Sequence, residues 1–255
     1  MSTRQSRRPA WVGRVSIHGG RCLYLGTGAA TTVHAAHVLK IAIPLEGTLR
    51  CVRADGTHVE MKSLVAAPGL AHTIDCGGGP IALLYVLPES PEYVAMLRAV
   101  AGQPLTPLSE DLVERFRRPL LRAFDGAPST TSALADELAR AVLPEGARSS
   151  VDRRVARAMA LVSELEALAP LGLVAERIRI SPTWLTHRFQ AEVGLSFKHY
   201  VLTVRLRRAI EAFSRSPSLT ALAHDVGFSD LAHLSRTSRR LLGVSPSDIG
   251  LSSER

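Results

Sequence analysis

The C-terminal third of the chain carries one layout twice. "LGLVAERIRISPTWLTHRFQAEVG" (171–194) and "LTALAHDVGFSDLAHLSRTSRRLLG" (219–243) each open on a short helix with an LxxxA pattern, Leu171 to Ala175 and Leu219 to Ala223. A tight turn follows at Ile180-Ser181 or Phe228-Ser229, and a second helix closes at Gly194 or Gly243, the residue type that ends helices. One helix, Ser196 to about Ser214, joins the copies and stops before Pro217. A short helix, a tight turn and a second capped helix is a helix-turn-helix, and two of them on one connecting helix leave little freedom for any other fold.

The faces of the second helices say what the layout is for. Leu185, Phe189 and Val193 fall four apart and form one apolar stripe, while Thr183, Thr186, His187 and Gln190 lie on the other side. In the second copy Leu231, Leu234, Leu241 and Leu242 point inward and leave Ala232, His233, Arg236 and Arg239 or Arg240 outward. A helix fits the major groove of B-DNA, where small hydrogen-bonding side chains and arginines read base edges and N-terminal amides meet phosphate. Charge agrees: 31 Lys and Arg against 23 Asp and Glu give a net +8, which favours an anionic partner. The stretch before residue 150 holds 16 basic and 13 acidic residues, so the excess is denser in the shorter C-terminal part.

Ahead of that part the pattern has another period. Residues 11–90 read as short strands: "RCLYLG", "VLKIAIPLEG", a hairpin around Asp55-Gly56, and "PIALLYVLP", apolar on both faces as a buried strand is. Strands at this spacing without helices between them predict a small antiparallel barrel or sandwich. Residues 91–142 hold three helical segments, 91–102, 109–123 and 130–142, which pack on the barrel or mediate a homodimer. "LPEGARSS" marks a linker at 143–152, and a helix over 153–168 opens a DNA-binding domain that runs to residue 250. Residues 1–10 read as a flexible arm, with no apolar core of a signal peptide and no run near the length of a membrane span. Cys22, Cys51 and Cys76 are odd in number and without a CxxC, so they predict neither a disulfide framework nor a zinc ribbon and fit a cytoplasmic setting at the nucleoid.

On these motifs the region 160–250 resembles the AraC/XylS family of bacterial transcription regulators. "AERIRISPTWLTHRFQAEVGLSFKHYVLTVRLRRAIEAF" is similar to the family's first unit and linker helix, and Ala223, Gly227-Phe228, Ser235-Arg236, Gly243 and Ser245-Pro246 to its signature second unit. The resemblance implies two helix-turn-helix units on one face of promoter DNA. Carried over by position, it implies base readers at Thr183, Thr186 and His187, flanked by Trp184 and Arg188, and at Ala232, His233 and Arg236, with Arg239 beside them. Two departures stand out: Ser238 sits where the family has an aromatic, and "SDIGLSSER" replaces the usual tyrosine and arginine after the serine-proline.

"GAATTVHAAH" and "APGLAH" resemble the two motifs of cupin-like sensor barrels. That implies an N-terminal all-β cupin-like barrel with trailing helices, joined to an all-α domain. It also points to His34, His37 and His72 as ligand-binding residues or as ligands of a divalent metal such as zinc, nickel or iron. His34 and His37 lie three apart, so in a regular strand they face opposite ways, which favours His37 with His72. The plainer alternative makes these histidines hydrogen-bonded pocket residues, Trp184 a core filler, and Arg205, Arg207 and Arg208 a solvated face.

The expected function is therefore sequence-specific binding of double-stranded promoter DNA by a non-enzymatic regulator. A small molecule or metal would act at the barrel, with RNA polymerase as a further partner and activation the family's commoner mode. The rival class is a metal-dependent cupin enzyme, of oxygenase or isomerase type, with a helical appendage. A partner-binding barrel without a ligand is the third.

Overall fold

A computed structural model describes residues 10–252, apart from 54, 104, 127–130, 144–146, 148–149, 166–168 and 214. The arm to residue 9, half of the linker expected over 143–152, the first residue of the helix expected over 130–142 and the end of the helix expected over 153–168 lie outside the described residues.

The N-terminal part is built on a six-stranded sheet. Strands β1 (Trp11–His18), β2 (Arg21–Gly28), β3 (Leu39–Pro44), β6 (Leu64–Ala66) and β7 (Pro80–Val86) supply five of its places, in the order β6-β3-β7-β2-β1. Strands β4 (Leu49–Val52) and β5 (His58–Met61) form the hairpin expected around Asp55-Gly56. This hairpin lies over one face of the sheet and is tied by bridges from Arg50 to Asp75 and from Arg53 to His72. The result is a β domain with two layers rather than a barrel whose hydrogen bonds close all round.

Period-two alternation splits the sheet's residues between two cores. Leu23 and Leu25, Leu39, Ile41 and Ile43, and Ala82, Leu84 and Val86 face the helices α1 (Tyr93–Ala99), α2 (Glu110–Phe124) and α3 (Thr131–Ala141). Cys22, Tyr24, Ala42, Ile81, Leu83 and Tyr85 face the other way, toward the hairpin. β7, in the middle of the sheet, is buried on both sides as its unbroken apolar sequence requires. Arg21 ties the helical layer down by an ion pair to Glu92 at 2.6 Å and another to Asp136 at 3.0 Å.

The C-terminal part is helical: α4 (Arg153–Glu164), α5 (Leu171–Arg177), α6 (Pro182–Val193), α7 (Phe197–Ala212), α8 (Leu219–Asp225) and α9 (Leu231–Leu242). α5 and α6 share one continuous core with α1–α3 and the inner face of the sheet. Tyr93 donates to the Val193 carbonyl at 3.1 Å, and Tyr200 donates to Glu89 at 2.9 Å, closing that seam. α8, α9 and the second half of α7 enclose a smaller core around Leu202, Leu206, Leu222, Phe228 and Leu234.

The sixth strand was not foreseen. After α9 and one 3-10 turn at Pro246–Asp248, residues Ile249–Ser252 form β8 and pair in parallel with β1, Trp11 opposite Ile249 and Arg14 opposite Ser252. The C-terminal segment that departs from the family pattern is thus the edge strand of the N-terminal sheet. Residues 249–252 thus add a sixth strand to the sheet begun at Trp11.

Phe189 is fully buried where α6 meets α7, packed edge-on against Phe197 and tilted against Tyr200. Phe189→Ala should cost about 3–5 kcal/mol. Because that core also holds the sheet, the loss should appear as one lowered urea midpoint for the β and helical signals together. Two separated transitions, with only the helical one shifted, would contradict the shared core.

Candidate nucleic-acid interface

The two units are built by the same local chemistry. In the first turn the Ile180 amide donates to the Ala175 carbonyl at 3.0 Å; in the second, the Phe228 amide donates to the Ala223 carbonyl at 2.8 Å. The position before each is left-handed, Arg179 at φ 58° and Gly227 at φ 86°. Ser181 then caps α6 by accepting from the Trp184 amide, and Asp230 caps α9 by accepting from the His233 amide at 2.6 Å. The second turn is one residue longer, Ser229 being the extra one.

Aligned from their caps, the helices match residue for residue. Buried Leu185 corresponds to buried Leu234, and exposed Thr183, His187 and Gln190 to exposed Ala232, Arg236 and Arg239. Thr186 corresponds to Ser235, a position that sequence reasoning passed over. These exposed residues form the outward faces expected of α6 and α9.

The flanking candidates sit differently. Trp184 is partly buried against the first core and lies under the Arg154 guanidinium, 3.9 Å from its ring centroid. Arg188 pairs with Glu192 at 2.5 Å, and Glu192 also accepts from the Asp152 amide that starts α4. Both side chains are occupied at the flank of α6. His233 is held too, edge-on against Phe228 and 3.2 Å from the Ser229 hydroxyl. Arg205 is partly buried, Arg207 pairs with Glu211, and Arg208 donates to the Leu165 carbonyl, so these three serve α7's own packing.

Phe189 and Ser238 occupy equivalent places, which accounts for one departure. Where the first unit fills the slot with a ring, the second buries Ser238, whose hydroxyl donates to the Val244 carbonyl at 2.7 Å. That bond turns the chain out of α9 toward β8. The missing aromatic and the extra strand are parts of one local solution.

The C-terminal end of α9 is capped by the N-terminal domain. The Thr32 amide and hydroxyl donate to the Gly243 carbonyl at 2.9 and 3.0 Å, and the Ala35 amide donates to the Arg240 carbonyl at 3.1 Å. Gly243 is left-handed, and a Cβ there would meet His34 and Thr31 at 2.6 Å. Any other residue would be excluded both by its own backbone and by this loop.

The three expected histidines part company. His34 and His72 meet at a tilt, ring centroids 4.6 Å apart, and both are buried. Lys40, itself buried, brings its Nζ to 2.8 Å from His34 Nε2. His34 Nδ1 donates to the Thr32 carbonyl and His72 Nδ1 to the Leu70 carbonyl, which leaves His72 Nε2 without a partner among the described residues. His37 stands apart at the domain junction, its ring 4.1 Å from that of His199 on α7. The set does not fit a divalent metal. Lys40 Nζ takes up His34 Nε2, His37 stands with His199, and no three His, Cys, Asp or Glu side chains converge as ligands among the described residues.

Burial sets the electrostatics of the cluster. It lowers His34 to about 2, helped by Lys40 and His72, and His72 to about 4, helped by Lys40; burial also brings Lys40 down to about 7. His37 falls to about 4 through burial and the neighbouring His199 and Arg240.

Two adjoining apolar cavities, of about 60 and 40 Å³, lie between the sheet and the second unit. Cys22, Tyr85, Ile210 and Leu242 line both, and His37 lines the smaller. His34 and His72 line neither.

Two helix-turn-helix units on one linker helix, docked on a two-layered β domain, define the class: a DNA-binding double helix-turn-helix domain with an N-terminal partner domain. Residues 174–250 match the family model for a helix-turn-helix domain. The chain is 42% identical over 79 residues to the transcriptional activator RhrA of Rhizobium meliloti, which covers 30% of this chain and 25% of that protein. It is 29% identical over 112 residues to the arabinose operon regulatory protein of Salmonella typhimurium, 42% of this chain and 40% of that one. The chain thus spans less than half the length of the curated relatives it matches. The fold of ToxT from Vibrio cholerae superposes with a TM-score of 0.56 at 10% identity, over 91% of this chain and 97% of that one. Residues 174–250 thus form a helix-turn-helix domain similar to those of these regulators.

His34 and His72 are neutral in the fold and charge in the unfolded chain near 6.5. Their folded values are depressed, so the stability they allow is present above that pH and is lost as pH falls from 6.5 toward 4 for His72 and toward about 2 for His34. Acidification from pH 7 to 5 should therefore cost roughly 1–2 kcal/mol per imidazole. His72→Gln should flatten the slope of the urea midpoint against pH, and an equally steep slope in the variant would refute the assignment.

Proposed function

We propose that the chain is a transcription regulator that binds promoter DNA by placing α6 and α9 in successive major grooves. The observation that carries this reading is the equivalence of the two exposed faces, Thr183, Thr186, His187 and Gln190 on α6 and Ala232, Ser235, Arg236 and Arg239 on α9. Base discrimination rests on these side chains, Arg236 foremost, because a guanidinium offers two parallel donors to guanine. Affinity rests mainly on phosphate contacts from the surrounding cations and weakens with salt. The names of the curated relatives, an activator and an operon regulator, support regulation of transcription as the outcome.

The N-terminal domain acts as the sensor. A small apolar effector enters the cleft lined by Trp11, Tyr24, Tyr85, Leu242 and Leu251, which touches both domains, with His37 at its margin. A second copy of the chain pairs through α2 and α3, and RNA polymerase is the further partner at an activated promoter. The setting is the cytoplasm; no described helix is long and apolar enough to cross a membrane.

Selection from a random DNA pool at near-physiological salt should recover a bipartite motif with halves about 10 base pairs apart. Arg236→Ala should weaken the selected site by about 1–3 kcal/mol, relax one position of the second half, and leave the first half unchanged. An unaltered affinity and motif in the variant would remove Arg236 from the reading set.

A further inference from the structure

The cleft between the sheet and the second unit has a floor and a lid of different origin. Trp11, Val15, Cys22, Tyr24, Leu83 and Tyr85 are its floor, all from the N-terminal sheet. Its lid is the C-terminal end of the chain, with Leu242, Val244, Ile249 and Leu251, plus Ile210 from α7. The larger cavity holds about 60 Å³, room for about two waters, whereas sites for small organic ligands run to about 300–1,000 Å³. An effector of ordinary size therefore enters only if floor and lid separate. Most of the floor, Cys22, Tyr24, Leu83 and Tyr85, stands on β2 and β7, which are buried on both faces and yield less readily than the lid. The lid is held by one short edge strand, by the Thr32 and Ala35 hydrogen bonds to α9, and by a few apolar side chains.

We propose that β8 and the end of α9 form a displaceable lid, so that a small uncharged apolar ligand in the cleft and docking of the second reading unit on the sheet exclude one another. This rests on the sensor reading of the same cleft. Ligand binding then releases α8–α9 to turn about the distal part of α7, while α5–α6 remain in the core they share with the sheet. Of the two reading helices only α9 changes its freedom. The effector thereby alters the second half of the DNA site and leaves the first alone.

Hydrogen exchange by mass spectrometry on the full chain tests the lid, with uncharged Nile red as the probe ligand. Saturating dye should raise exchange in the peptides holding Thr32, Ala35 and 249–252 by about tenfold and leave α5–α6 unchanged. Cys22→Phe, which thrusts a ring from the floor into the cleft, should reproduce this without dye. A chain ending at Asp248 should bind the dye about tenfold more tightly, since no lid has to be displaced. Dye bound under an undisturbed β8, or weaker binding by the shortened chain, would overturn the proposal, because the lid would then be part of the ligand's site. The shortened chain also guards against misreading a Cys22→Phe protein that fails to fold. DNA binding is scored separately on the selected site. If the lid responds as expected while neither α6 nor α9 recognises DNA, the regulator reading falls and the lid stands; with site recognition intact and the lid unresponsive, only the lid falls.

Discussion

The constraint on which the molecule depends is a sheet that has to be covered on both faces. "IALLYV" puts apolar side chains on both sides of β7, and its neighbours β2 and β3 alternate in the same way without exposing either face. Leaving one side wet would forgo about 1.5–3 kcal/mol for each large side chain. Three helices and the first helix-turn-helix unit cover one face. The hairpin is too small to cover the other alone, and the second unit with its C-terminal strand completes it. The sheet thus joins the two reading units as much as α7 does.

This shared cover makes the units unequal despite their common layout. The first is fixed by a large core, by Phe189 among rings, and by the hydroxyls of Tyr93 and Tyr200. The second trades its ring for Ser238, folds around a core of its own, and reaches the sheet through a thin seam. Local unfolding follows such differences, since segments with few buried contacts open at lower free energy than the body they rest on. A duplicated motif has become one anchored reader and one held reader.

The sequence made the helices, their caps and their outward faces legible, because all of these depend on residues within a turn or two of one another. Gly194 and Gly243 announce helix ends wherever the chain goes afterwards. The strand alternation and the Asp55-Gly56 hairpin were equally local. What stayed hidden was non-local. Nothing in "SDIGLSSER" says that its partner strand lies near residue 11, since a parallel edge pairing leaves no turn signature. Lys40 sits in an apolar strand whose neighbours give no sign that it meets a histidine from a loop. The parity argument needs a regular strand through residues 34–37, and there is none; His34 meets His72 and His37 meets His199, because the bridge between residues 34 and 72 is made by loops.

The same contrast explains why the histidines serve the junction better than a metal. Lys40, His34 and His72 are all bases, and the two imidazoles stay neutral because charging either would leave it desolvated and repelled by Lys40. The cluster is therefore a support whose geometry passes outward through the 31–35 loop. His34 fixes the Thr32 carbonyl; Thr32 in turn fixes Gly243, and Gly243 ends α9. A hydrogen-bonded chain runs from the interior of the β domain to the C-terminal end of α9, and it does so through backbone groups that a helix terminus leaves unsatisfied unless something caps them. In this fold the cap belongs to the N-terminal domain, so the two domains cannot separate without uncapping α9. The end of α9 is therefore as well ordered as the 31–35 loop that caps it, and no better.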